Sequence, residues 1–200
     1  MIWLALLIAY LLGSIPMAFI LGKLIKKKDI RTLGTKNVGA TNAFQQIGKF
    51  AGIFTALFDM IKGVLAFWLA YLLMQSFGFS IFWVFAAGFV AIVGHMWPIY
   101  LQFKGGKGTA TAAGLMLMSF IVLIVMHSIN MWFFIIPIAV AAVVVFTIKK
   151  PILTYFIFGG ALTVFVIILL GFFEWTWFMI ALTAFLIYKS IEGYRQMGHW

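Results

Sequence analysis

Hydrophobic residues form long runs along this chain, and short polar stretches separate these runs into seven segments. The runs cover residues 1–24, 50–74, 79–101, 109–128, 131–148, 152–172 and 175–192. About 20 predominantly apolar residues are the length that an α-helix needs to cross the hydrocarbon core of a bilayer. The pattern therefore predicts an all-α integral membrane protein with seven transmembrane helices, arranged as a single domain over residues 1–200.

The composition agrees with a chain that lies mostly in lipid. Hydrophobic residues make up 66% of it and charged residues only 9%, whereas soluble domains carry about 25% charged residues. A separate soluble catalytic domain is excluded. The chain has no cysteine, which excludes disulfides and thiolate chemistry, and its acidic residues are too scattered to form a carboxylate metal cluster. We therefore expect neither a metal nor a cofactor.

The distribution of basic residues predicts the orientation in the membrane. Apart from Lys62, every lysine and arginine falls on alternate connections between the predicted helices. Lys and Arg concentrate in cytoplasmic loops close to helix ends. Seven helices with the N-terminus outside and the C-terminus in the cytoplasm satisfy this rule, and an even number of helices would break the alternation.

Residues 29–49 form the first polar stretch with candidate chemistry. Two of its glycines, Gly34 and Gly39, can adopt positive φ angles, and several of its hydroxyl and amide side chains can hydrogen-bond to a ligand. The candidates among these side chains are Thr35, Asn37, Thr41 and Asn42. An ordinary solvated loop that ends in a helix cap explains the same residues.

Residues 94–114 form the second stretch, in which His95 ends one predicted helix and a glycine-rich turn opens the next. Lysines flank this turn, and the positive end of the following helix adds to an environment suited to an anion. The residues are Lys104, Gly105, Gly106, Lys107 and Gly108. They do not form a nucleotide-binding P-loop, because the required Gly-x4-Gly-Lys-Ser/Thr spacing is absent. An ordinary tight turn between antiparallel helices remains an alternative, as does a structural role for His95.

Asp59 and Lys62 are an oppositely charged pair in the middle of a predicted span, and their spacing places them on one helix face. Charges at the bilayer centre cost about 2.5–3.5 kcal/mol each on insertion scales, so both should face the bundle interior or a wet cavity. A structural ion pair and a role in the site are both open. The three polar groups together indicate a membrane-embedded site for a phosphate attached to, or next to, an acyl chain.

Several segments resemble the acyl-phosphate-dependent glycerol-3-phosphate acyltransferases, the PlsY family, in order and spacing. They are Gly13-Ser14-Ile15-Pro16, Asp29-Ile30-Arg31, Gly34-Thr35-Lys36-Asn37-Val38-Gly39-Ala40-Thr41-Asn42-Ala43, the Asp59 to Gly63 segment DMIKG, and residues 94–108. The resemblance covers residues 1 to about 115, and beyond them it is limited to hydropathy and residues 188–192.

The resemblance implies transfer of an acyl group from acyl phosphate to the 1-hydroxyl of sn-glycerol 3-phosphate, giving lysophosphatidic acid and phosphate. It implies seven transmembrane helices, a bacterial inner-membrane location and an active site that faces the cytoplasm. It also implies a reaction that needs no metal or cofactor, and a protein that binds no nucleic acid and has no obligate protein partner. The implied catalytic residues are Thr35, Asn37, His95 and Lys104, and the implied substrate-binding residues are Thr41, Asn42, Gly105, Gly106, Lys107, Gly108 and Glu192.

The chain departs from the family pattern at positions expected to bind substrate. Thr35 replaces a serine, Gln45 replaces an arginine, and Ser190 and Gly193 replace a histidine and an asparagine, while Thr154 is the only hydroxyl left near Lys149 and Lys150. A weakly active or inactive relative that binds phosphate or anionic lipid is therefore an alternative. A small transporter is a second alternative, based on Asp59 and Lys62 inside a span.

Overall fold

In the computed structural model of the chain, residues 1–78 and 80–127 and positions 184, 188 and 191 are described, and their regular structure is helical. The α-helices in these residues are α1 (Ile2–Ser14), α2 (Met17–Leu21), α3 (Ala40–Gln46), α4 (Lys49–Phe77), α5 (Ile81–Met96) and α6 (Thr109–His127). Two compact units divide the chain, Met1–Ser119 and Phe120–Trp200. In the second unit, Ala184, Tyr188 and Ile191 are helical. The single domain expected over residues 1–200 stays a prediction.

Three segments in the described part of the chain are long and apolar enough to cross a membrane. They are Ile2–Lys26, Lys49–Phe77 and Ile81–Leu101, and they coincide within a few residues with the first three predicted spans. Helix α6 coincides with the fourth. The predicted spans at 131–148, 152–172 and 175–192 lie outside the described residues, apart from the three single positions. The total of seven helices and their orientation stay predictions.

The first span is interrupted between α1 and α2. Ile15 adopts an extended conformation with ψ of 114°, because a residue that precedes proline is disfavoured in the helical region, and Pro16 has no N–H to continue the helical hydrogen bonds. A tighter turn at Ile99–Leu101 similarly follows α5. The interruption matters for the site, since backbone carbonyls at the end of α1 lose their helical partners and become available to other donors.

Helices α1 and α5 pack closely because glycines face each other's backbone. A Cβ atom on Gly13 would overlap the carbonyl of Ala91, and one on Gly94 would overlap the carbonyl of Tyr10. The hydroxyl of Tyr10 also donates to the carbonyl of Trp97 at 2.7 Å. Small residues allow this approach of backbones in membrane helices. The packing brings the C-terminal end of α1 against the C-terminal half of α5, where His95 lies.

Gly13→Ala is expected to destabilise the protein, because the added methyl meets backbone atoms that no rotamer change can move. Overpacking typically costs about 1–3 kcal/mol. The thermal unfolding temperature in detergent measures the effect. Leu4→Phe is the matched control, since it adds volume on the exposed face of the same helix. An unchanged unfolding temperature in Gly13→Ala would show that α1 and α5 do not pack this closely.

Candidate functional site

One buried amide side chain organises the polar loop before α3. Nδ2 of Asn42 donates to the carbonyls of Asn37 at 2.8 Å, Leu33 at 3.1 Å and Ile30 at 3.2 Å. Its Oδ1 accepts from the backbone N–H of Thr35 at 3.1 Å. Because a single side chain bonds four backbone groups of the loop, the loop conformation depends on Asn42. Its predicted role in substrate binding stays a prediction.

Gly34 makes room for that amide. It has φ of +50°, a region that L-residues with side chains rarely adopt, and a Cβ there would press against Oδ1 of Asn42 and the side-chain amide of Gln46. A larger residue at position 34 would therefore be strained and would displace Asn42.

The predicted catalytic residues of this loop are placed by the same bonds. Thr35 is partly buried and Thr41 is exposed at the start of α3. Oδ1 of Asn37 is buried and has no hydrogen-bond partner among the described residues. A buried acceptor without a donor costs about 1–3 kcal/mol. This oxygen therefore has unused acceptor capacity within the described part of the chain.

An ion pair closes the turn at the start of the first polar stretch. Arg31 binds the Asp29 carboxylate with two parallel contacts, from Nη2 to Oδ2 at 2.7 Å and from Nε to Oδ1 at 3.1 Å. These bonds lower the pKa of Asp29 below its usual value and raise that of Arg31. Nη1 of Arg31 also donates to the carbonyl of Leu101 at 3.4 Å. The turn is thereby linked to the segment that leads into the glycine-rich loop.

An apolar cluster holds the two polar loops together. Ile30 and Val38 come from the first loop, and Leu101 precedes the second by three residues. The buried members of the cluster are Ala18, Ile30, Val38, Ala43, Ile47, Ala51 and Leu101. Because the first loop and the residue shortly before the second loop pack in one cluster, the two motifs predicted from the sequence lie in one region of the first unit.

The glycine-rich loop folds back on the end of α5. The N–H of Gly105 donates to the carbonyl of Met96 at 3.1 Å, and that of Gly106 donates to the carbonyl of His95 at 3.1 Å. A side chain on Gly105 would overlap the same carbonyls. These two amides thus hold the loop in place, and the expectation that they donate to a phosphate stays a prediction.

The end of the loop leads directly into α6. Gly108 has φ of +79°, a value suited to glycine, and Thr109 begins the helix. The first N–H groups of a helix lack acceptors within it, and the helix dipole favours an anion there. Lys104 is exposed and Lys107 is partly buried. The two lysines and the first turn of α6 form a positively charged region suited to a phosphate.

Partial burial lowers the pKa of Lys107 below that of a free lysine. A lowered pKa means that the positive charge is lost at a lower pH than usual. If the charged form of Lys107 binds phosphate, KM for a phosphate-bearing substrate should rise as the pH becomes alkaline. Lys107→Arg is expected to move this rise to higher pH, because arginine stays charged. Lys36→Arg, at an exposed position, is the control, and an unmoved pH profile in Lys107→Arg would contradict the role.

A buried cluster of charged side chains, called the charge cluster, lies next to His95 near the end of α5. Nζ of Lys62 lies 2.8 Å from Oδ1 of Asp59 and donates to the carbonyls of Gly13 at 3.0 Å and Ile15 at 2.9 Å. It also lies 3.1 Å from Nδ1 of His95. Asp59 and Lys62 are each 2% exposed. The cluster joins α4, α5 and the interrupted end of α1.

The other side of the His95 ring faces the glycine-rich loop. A Cβ atom on Gly106 would overlap Nε2 of His95. Gly106 is buried, and His95 is 7% exposed. The imidazole therefore lies between the charge cluster and the loop, which the sequence alone did not indicate.

Their spacing along the chain placed Asp59 and Lys62 on one helix face but did not pair them with His95. The spacing of two residues on α4 contains no information about a side chain on α5 or about the carbonyls of α1. Pro16, which interrupts the helix, could have indicated that carbonyls at the end of α1 lack helical hydrogen-bond partners. Since the two charges are bonded to each other and Lys62 also donates to backbone oxygens, their arrangement does not favour the transporter alternative.

Four further residues singled out from the sequence lie outside the described residues. They are Glu192, Thr154, Ser190 and Gly193. Gln45 is exposed on α3. Within residues 1–78 and 80–127, no group of three His, Asp or Glu side chains is arranged to hold a metal ion.

The fold and the site together define a helical integral membrane protein with two polar loops and a positively charged region suited to a phosphate. The sequence profile of the family described as glycerol-3-phosphate acyltransferase matches residues 3–198. The chain belongs to this family.

Several curated relatives carry the same description. The chain is 51% identical over 114 residues to glycerol-3-phosphate acyltransferase from Macrococcus caseolyticus, a match that covers 57% of this chain and 56% of the relative. It is 50% identical over 112 residues to that from Enterococcus faecalis, covering 56% of this chain and 50% of the relative. The matched part of the chain thus spans about half the length of these curated relatives.

Two solved structures are similar over nearly the whole chain. Both are crystal structures of PlsY (YgiH), an integral membrane glycerol 3-phosphate acyltransferase, one in the glycerol 3-phosphate form and one in the lysophosphatidic acid form. The first has a TM-score of 0.76 at 28% identity and covers 98% of this chain and 91% of that one. The second has a TM-score of 0.72 at 27% identity, with the same coverage.

Proposed function

We propose that this protein transfers an acyl group from acyl phosphate to the 1-hydroxyl of sn-glycerol 3-phosphate, giving lysophosphatidic acid and phosphate. The observation that carries the proposal is the lysine-flanked loop at residues 104–108, which opens α6 in a chain of the glycerol-3-phosphate acyltransferase family. The similar PlsY structures in glycerol 3-phosphate and lysophosphatidic acid forms support the same acceptor and product.

The reaction needs positioning and charge neutralisation more than a protein nucleophile. The hydroxyl oxygen of glycerol 3-phosphate forms a bond to the acyl carbon, the bond from that carbon to the phosphate oxygen breaks, and the departing phosphate takes the hydroxyl proton. Lys104 and Lys107 neutralise phosphate charge through charge-assisted hydrogen bonds. Oδ1 of Asn37, which is buried without a partner among the described residues, accepts a hydrogen bond from a hydroxyl of the glycerol group and orients that hydroxyl.

The protein spans the bacterial inner membrane with seven helices. Its N-terminus lies outside, and the site faces the cytoplasm. The bilayer supplies the acyl phosphate and receives the product, with no protein partner required.

Because the chain has no cysteine, single-cysteine variants test the orientation directly. Lys27→Cys should react with an impermeant thiol reagent only from the cytoplasmic side, and Ser76→Cys only from outside. Labelling of both from one side would contradict the topology.

Phosphate release from palmitoyl phosphate, measured with and without sn-glycerol 3-phosphate, tests the reaction. The purified full chain in lipid is expected to release phosphate only with the acceptor, in step with lysophosphatidic acid formed. Lys104→Ala/Lys107→Ala should reduce both signals together. Release that ignores the acceptor would show acyl-phosphate hydrolysis instead, and no release from folded protein would favour the inactive relative.

Gln45→Arg tests whether the chain is a weakened member of its family. Arginine at this exposed position of α3 restores the planar donor pair that the family pattern has there and that binds phosphate in two parallel contacts. We expect KM for glycerol 3-phosphate to fall roughly tenfold or more, since a hydrogen bond to a charged group contributes about 1.5–3 kcal/mol. Gln45→Lys is the control for charge alone. An unchanged KM in Gln45→Arg would show that position 45 does not contact the substrate.

A further inference from the structure

The ammonium group of Lys62 has three hydrogens and four polar neighbours, so at least one hydrogen is shared between two neighbours. Its neighbours are a carboxylate oxygen of Asp59, the carbonyls of Gly13 and Ile15, and Nδ1 of His95, all between 2.8 and 3.1 Å from Nζ. Three of them are oxygens that can only accept. Lysine at the centre of three such oxygens is held as the charged ammonium, which is a donor with no acceptor capacity.

This arrangement decides which nitrogen of His95 carries the hydrogen. If Nδ1 carried it, an N–H group would lie 3.1 Å from the positively charged Nζ of Lys62, and the two would repel each other. Asp59, the alternative acceptor for an Nδ1 hydrogen, lies farther away at 3.5 Å. Nδ1 therefore presents its lone pair to Lys62, and in neutral imidazole the hydrogen then lies on Nε2.

We propose that Lys62, held by Asp59 and by the carbonyls of Gly13 and Ile15, is a positioning residue that fixes His95 in the Nε2–H tautomer, so that the ring presents a donor and not a base to the glycine-rich loop. Nε2 lies against Gly106, at the inner side of that loop. In terms of the proposed function, on which this part rests, the Nε2–H group stabilises anionic phosphate or acyl oxygen. A donor in that place adds to the lysines, whereas a lone pair would repel an anion.

The tautomer can be measured without any substrate. The full chain with His127→Gln and His199→Gln retains His95 as its single histidine. After labelling with imidazole-¹⁵N histidine, two-bond ¹H–¹⁵N correlation spectra in detergent separate the two tautomers. The expected spectrum shows an unprotonated Nδ1 and a protonated Nε2. A protonated Nδ1 in this protein overturns the proposal.

Lys62→Met tests whether the lysine fixes the tautomer. Without the ammonium, the Asp59 carboxylate is the remaining polar neighbour of Nδ1, so the hydrogen is expected to move to Nδ1. If Lys62→Met does not fold because Asp59 is left buried and unpaired, Asp59→Asn/Lys62→Met removes both charges and leaves an amide oxygen that accepts from Nδ1–H. An unchanged Nε2–H tautomer in the folded variant would overturn the positioning role.

Two substitutions of His95 separate a donor from a base. Glutamine places an amide N–H near the Nε2 position but cannot accept a proton at neutral pH, whereas leucine offers neither function. We expect His95→Leu to lose roughly 10- to 100-fold in kcat/KM relative to His95→Gln, as the loss of one hydrogen bond to a charged group would give. Equal losses in the two variants would overturn the donor role.

The results also separate this inference from the proposed function. An Nε2–H spectrum in a protein without acyltransferase activity would support the tautomer and reject the reaction. A protonated Nδ1 in an active enzyme would reject the tautomer and support the reaction.

Discussion

Asn42→Asp is expected to abolish acyltransferase activity and to lower the unfolding temperature markedly. The substitution keeps the shape of the side chain but replaces the Nδ2 donors with a carboxylate oxygen, which would face the carbonyls of Ile30, Leu33 and Asn37. Asn42 is 1% exposed, so water cannot compensate for the lost bonds. Each buried acceptor left unpaired costs about 1–3 kcal/mol. Activity should fall by more than about 100-fold, because the loop that carries Thr35 and Asn37 loses its anchor.

Thermal unfolding in detergent and the phosphate-release assay measure the two effects. Thr32→Ala is the matched control, since its hydroxyl makes an exposed bond to the carbonyl of Asp29 in the same loop, and it should change neither quantity by much. If Asn42→Asp unfolded at the wild-type temperature while activity fell, Asn42 would act by contacting substrate and not by holding the loop.

Gly106→Ala is the second substitution with a large expected effect. The added methyl would overlap Nε2 of His95, while the N–H of Gly106 is tied to the carbonyl of the same residue. The ring must move away, which breaks its contact with Lys62. We expect kcat/KM to fall roughly 100-fold, since small displacements of positioning groups have effects of this size.

A double-mutant cycle tests the cause of that loss. In a His95→Ala background the space beside Gly106 is empty, so adding Gly106→Ala should change activity little further. Residues in contact show such non-additivity, whereas independent sites add. Additive losses would mean that Gly106 acts through its own contact with substrate. Wild-type activity in Gly106→Ala alone would show that the loop does not lie against His95.

Hydrophobic runs predicted the first three spans and α6 within a few residues, because the length and apolar character of a transmembrane helix are local properties of the chain. The same local information placed the two polar loops, since glycine, threonine, asparagine and lysine interrupt the runs there. It did not show the interruption at Ile15 and Pro16 within the first span, although proline signals it. The last three predicted spans and Glu192 lie outside the described residues and stay predictions.

The roles of particular side chains depended on residues far away in the chain. Asn42 was predicted to bind substrate, but its bonds are to the loop that precedes it, and their direction follows from how the loop turns at Gly34. Gly105 and Gly106 were predicted to offer their amides to phosphate, but those amides bond to the end of α5. In both cases the residue types predicted a polar site, and only the backbone path decided which partner each group has in the structure.

By itself the sequence determined that this is a helical membrane protein, where its first four apolar helices lie, and which family its motifs belong to. These properties depend on hydropathy and on residue types at short spacings, which do not require long-range contacts. Only the tertiary structure decided that Lys62 on α4 meets His95 on α5 and the carbonyls at the end of α1. Glycines that let α1 and α5 approach create this cluster, and such a contact between distant segments follows from helix packing, which no local pattern in the chain specifies.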